Sequence, residues 1–75
     1  MFMPTFQEIR LEAQFSLNKL ARAADVDFRT VKKADVGDPI REVSAAKLLS
    51  TLSERVGRKI KRKDVTDLKI WEPLP

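Results

Sequence analysis

The side chains able to do chemistry in this chain are carboxylates and cations. The 75 residues include no histidine and no cysteine. The commonest general base and the commonest metal ligand are therefore missing. Thiolate metal sites and disulfides are missing too, so zinc fingers are excluded. Asp25, Asp27, Asp35 and Asp38 cluster in sequence, but each falls at a cap or a helix end, which accounts for it without catalysis. Gly37 and Gly57 are the only glycines, too few for a glycine-rich phosphate loop. The serines and threonines have no histidine partner, and nothing points to a Lys–Ser pair. These residues imply no enzyme, no metal and no cofactor.

Positive charge is what remains. Fifteen Lys and Arg against eleven Asp and Glu give a net charge of +4 and a pI near 9.8. Such a balance favours polyanionic partners, although many basic domains bind none. Arg29, Lys32 and Lys33 share the outer face of a helix expected over 28–36. Arg58-Lys59-Ile60-Lys61-Arg62-Lys63 places five cations in six residues. A block of this kind is usually a solvated face, and the alternative is phosphate contact.

The elements that must position these cations centre on 16–37. Ser16 is an N-cap, and Leu17, Leu20, Ala21 and Ala24 recur at helical spacing. Asp25 sits where that helix must stop, at a position suited to a left-handed backbone. Val26 plugs the turn. Asp27 caps the next helix, which buries Val31 and Ala34 and runs to about Val36. Gly37 ends it, and Pro39 blocks a restart. Two readings of this pair are open: an ordinary helical hairpin, or a helix-turn-helix whose second helix projects toward a DNA groove.

Upstream, Thr5 and Glu8 form a capping box for a helix from Phe6 to about Gln14. Phe6, Ile9 and Ala13 share its inner face, and Phe15 plugs the joint that follows. Phe2 is either a lid on the core or a frayed end. Downstream, a helix starts within 41–44 and runs to about Val56. Val43, Ala45, Ala46, Leu48, Leu49, Leu52 and Val56 give it a broad apolar stripe, and Gly57 stops it. Ile60 anchors the basic run. A short fifth helix is expected over 64–68, with Val65 and Leu68 inward. Prolines prevent helix far beyond Trp71. A core this small supplies only roughly 3–5 kcal/mol net. No run is long enough to span a membrane, and the expected location is the cytoplasm.

The segment resembles the helix-turn-helix of the lambda-repressor-like (Xre) family. The resemblance rests on Leu20-Ala21, Val26, Val31 and Asp35 ahead of Gly37, with Arg10 placed to pair with that acid, and spans roughly 6–56. Two departures matter: the family prefers Gly at Asp25, and often Gln at Leu17, where the side chain commonly bonds a phosphate. The resemblance implies an all-α fold, a compact bundle of about five short helices forming a single domain over 1–75. It implies sequence-specific binding of double-stranded DNA by a small bacterial or phage transcriptional regulator. No separate ligand-sensing domain or small-molecule ligand is expected.

Carried over by position, Phe28, Arg29, Lys32 and Lys33 meet base edges, with Arg29 suited to a bidentate contact to guanine. Phe28 packs on a thymine methyl or turns back into the core. Lys19, Arg22, Arg41, Lys61, Arg62 and Lys63 contact phosphates, which position without specifying. Arg10 either bridges to Asp35 or is a solvated surface charge. A homodimer is expected, in solution or only on DNA, because family members pair on near-palindromic sites. Ile70, Trp71 and Leu74 are its expected contact, and the other reading folds Trp71 over Val65 as a lid. The alternative function is a protein-interaction module on the same scaffold, antitoxin-like or an adaptor.

Overall fold

A computed structural model describes residues 4–71. They form four α-helices: α1 (Phe6–Glu12), α2 (Leu17–Ala24), α3 (Phe28–Asp35) and α4 (Glu42–Val56). A 3-10 turn over Arg62–Asp64 follows. The all-helical class is as expected, but the helix count among the described residues is four rather than about five.

Local chemistry sets the helix starts. Thr5 and Glu8 close the reciprocal capping box on α1, Ser16 Oγ accepts from the Lys19 amide at 3.1 Å, and Asp27 accepts from the Arg29 amide. The helix ends share one device. Gln14, Asp25, Gly37 and Gly57 all hold a left-handed backbone. After α1, the amides of Gln14 and Phe15 donate back to Leu11 and Arg10. After α2, those of Asp25 and Val26 donate to Arg22 and Ala21, and after α3, those of Gly37 and Asp38 donate to Ala34 and Lys33. Each pair satisfies carbonyls that the helix itself leaves unpaired.

One core joins the helices. Phe6, Ile9, Leu20, Val31, Leu48 and Leu52 are its most fully buried members. Ala21 and Ala24 are buried on α2, and Leu17, Val26 and Phe15 pack half-buried around them. On α4 the buried stripe is narrower than expected. Ala45, Leu48, Leu49 and Leu52 face inward, whereas Val43 is 68% exposed and Ala46 is exposed. The other elements cover one side of α4, and Val43 points away from them.

The expected fifth helix over 64–68 does not form. Its groups are held by distant partners instead. The Asp67 carboxylate accepts from the Phe6 amide at 2.8 Å, and the Thr66 amide donates to the Pro4 carbonyl. Val65 is extended and buried, and Ile60 is buried beside Ser53, whose hydroxyl accepts from the Ile60 amide. The chain then returns to the α3–α4 loop, where Ile40 and Ile70 form a parallel bridge. Phe2 and Leu74 lie outside the described residues.

Arg58 pairs with Glu12 through two hydrogen bonds. These hold the Glu12 carboxyl below its ordinary range, and mutual attraction adds to the effect. A depressed folded-state value means that this support is present above the ordinary Glu range. It fades as pH falls through the lowered value.

The left-handed positions yield a stability test. Gln14 is exposed with φ 61°, a conformation that costs an ordinary residue about 1–2 kcal/mol. Glycine removes that strain but loses more chain entropy, about 0.5–1 kcal/mol. Gln14→Gly should therefore stabilise the fold by up to about 1.5 kcal/mol in urea unfolding. Asp25→Gly should stabilise it less, because Asp visits this region more readily.

Candidate nucleic-acid interface

The α3 helix has eight residues. Val31 and Ala34 bury one side completely. At roughly 100° per residue, Arg29, Lys32, Lys33 and Val36 then share the opposite side. All four line one surface depression of about 260 Å³, together with Asp38. The three cations are exposed, and Val36 is 64% exposed. Val36 was expected only as a helix end. Its signal in the sequence was its spacing, three and four residues beyond Lys33 and Lys32. Phe28 stays at the surface, 39% exposed, and is not among the residues packed on the core.

This face is held from behind by a buried charge pair. Arg10 Nε donates to Asp35 Oδ1 at 2.8 Å, and Arg10 Nη1 donates to the Phe15 carbonyl at 2.9 Å. Both side chains are about one-tenth exposed, at 10% and 11%. One guanidinium thus ties together α1, the entry to α2 and the last residue of α3. Arg10 is the bridge, not a solvated charge. No buried side-chain nitrogen or oxygen among the described residues lacks a partner.

The cations expected at phosphates divide into two sets. Lys19 and Arg22 are exposed on α2, and Arg41 is exposed at the start of α4. Arg41 shares a pocket with Thr30 and Lys33 of α3, so the structure brings it together with the α3 cluster. Lys61, Arg62 and Lys63 are exposed on the 3-10 turn, and Arg62 flanks a different groove with Glu42, Ala45, Ala46 and Leu49. Arg58 is committed to Glu12.

The two described residues of the apolar tail differ in exposure. Ile70, expected between two copies, is half-buried against this chain's own core. Trp71 is 54% exposed, so it is not a lid over Val65. Its amide donates to the Ile40 carbonyl at 2.7 Å, which places it beside α3 and the start of α4. Among the described residues no three carboxylates gather as a metal site, and no helix is long and apolar enough to cross a membrane.

Comparison with protein-family models, curated proteins and solved structures finds no match for this chain.

The Arg10–Asp35 pair gives a direct test of how α3 is held. Removing either partner leaves the other charge buried and unpaired, which costs about 3–5 kcal/mol in buried pairs. Each loss matches the roughly 3–5 kcal/mol that the core supplies, so Arg10→Ala and Asp35→Ala should each leave little folded protein, and the double variant, with no charge left unpaired, should recover helical circular dichroism. A double variant less folded than either single one would mean that the pair does not hold α3.

Proposed function

We propose that this protein binds double-stranded DNA in a sequence-specific way, with α2 and α3 acting as a helix-turn-helix and the fold being lambda-repressor-like. The observation that carries the reading is the outer face of α3. Arg29, Lys32, Lys33 and Val36 project from a short helix whose other side is locked into the core. An α-helix fits the major groove, where base edges differ in their pattern of donors and acceptors. Arg29 would take a guanine edge, and Val36 offers a methyl-bearing surface for thymine. Phe28, at the edge of the face, offers a second apolar contact. Arg41 shares a pocket with Lys33, and with the exposed Lys19 and Arg22 of α2 it would hold phosphates. A small regulator of transcription fits such a module.

The adaptor reading gains less support. A protein-binding face is usually depleted of lysine at its centre, whereas two of the four outer side chains of α3 are lysines.

Binding selection from random duplexes, followed by titration at several salt concentrations, tests the proposal. One preferred sequence should emerge, and affinity should fall steeply with salt as phosphate counterions are released. Arg29→Ala should weaken the preferred site by about 1–3 kcal/mol and relax one base position. Lys61, Arg62 and Lys63 replaced together by Ala should flatten the salt dependence only if the basic run touches DNA. An unselective outcome with no salt dependence would favour the adaptor.

A further inference from the structure

The tail, the α3–α4 loop and the end of α3 enclose a surface pocket of about 250 Å³. Thr30, Lys33, Arg41, Ser44 and Trp71 supply its polar lining, with Pro39 and Ile40 between them. Every polar side chain in that set carries a donor: an ammonium, a guanidinium, two hydroxyls and an indole N–H. None is a carboxylate. Three other surface grooves each carry one, namely Glu42, Asp64 or Asp38. A concave site with two cations and no acid selects for an anion. At about 30 Å³ per water the pocket holds roughly eight waters, enough for a phosphate and part of its sugar.

Two further observations bear on what could carry that anion. Lys33 lines both this pocket and the depression on the outer face of α3, so the two surfaces are continuous. The pocket's outer wall is also fixed in place. The Ile40 amide donates to the Lys69 carbonyl at 3.0 Å, and the Trp71 amide donates to the Ile40 carbonyl. Backbone pairing therefore straps the tail to the loop and sets the indole beside the cations.

We propose that Trp71 completes a phosphodiester-binding pocket with Thr30, Lys33, Arg41 and Ser44, adjoining the base-reading face of α3. This rests on the DNA-binding reading above. The tail acts as a backbone clamp, and Trp71 supplies a flat wall and one donor. Its contribution is independent of sequence, because a phosphate is the same at every step.

The chain's single tryptophan makes the pocket directly observable by fluorescence. Trp71 emission should change on titration with a preferred duplex, at the concentrations that give binding. Ser44→Asp puts a negative charge into the pocket at the third position of α4, where an acid favours the helix, so folding is retained. It should lower affinity for every duplex about tenfold or more, with the preferred sequence unchanged. Trp71→Phe should bind more tightly than Trp71→Ala, since it keeps an aromatic wall. Unchanged emission at saturating duplex, or wild-type affinity in Ser44→Asp, overturns the proposal while leaving DNA binding intact. If no duplex binds, the function proposed above fails, and inorganic phosphate decides the pocket. A change in emission that Ser44→Asp abolishes would make free phosphate the ligand, and no change would overturn the site. Emission that varies with protein concentration alone would place Trp71 between two copies and overturn it as well.

Discussion

Arg10 and Asp35 place a charge pair at the edge of the described core, each side chain about nine-tenths buried, and the orientation of α3 depends on it. A charge so buried is stable only when its donors are matched. Asp35 and the Phe15 carbonyl do the matching. The first fixes the end of α3, and the second fixes the bend from α1 into α2. The three short helices are thereby locked by one planar group. A salt bridge of this kind adds less to stability than to uniqueness of arrangement.

The helices are too short to hold themselves. Two of them have eight residues, below the length at which isolated helices persist in water. Caps at their starts and left-handed turns at their ends satisfy the free backbone groups, and packing on α4 supplies the rest. The segment after α4 completes this frame. Asp67 accepts from the first amide of α1, Ile60 and Val65 fill the side of the core, and Ile70 pairs with the α3–α4 loop. What reads locally as a basic, tail-like stretch is therefore a structural brace. Its end lies beside the cations of α3 and α4.

Local rules reached most of the frame. Thr5 with Glu8, Ser16 and Asp27 marked three helix starts, and Gly37 and Gly57 marked two ends. The periodicity of Leu20, Ala21, Ala24, Val31 and Ala34 identified the buried faces. The failures share a cause, which is dependence on distant partners. Val65 and Leu68 have helical spacing, but Pro4 and Phe6 capture the backbone and side chain between them. Val43 and Ala46 fit the stripe of α4, yet among the described residues they stay exposed. Arg58 looked like one more cation of a basic run until Glu12, 46 residues away, claimed it. Arg10 and Asp35 were paired through family resemblance, because neither spacing nor composition links residues 25 apart. Val36 differs: its position at a helix end hides in the sequence that it is also surface.

On the proposed function, the outer face of α3 would meet DNA, with α2 and the start of α4 beside it. Backbone amide NMR shifts on adding a short duplex of the selected sequence test this most directly. The largest shifts should fall at Lys19–Arg22, at Phe28–Val36 and at Arg41–Ser44, with the interior of α1 and the C-terminal half of α4 little affected. Shifts confined to Arg58–Lys63, with α3 unmoved, would show that the basic run alone attracts the duplex and that α3 does not read it.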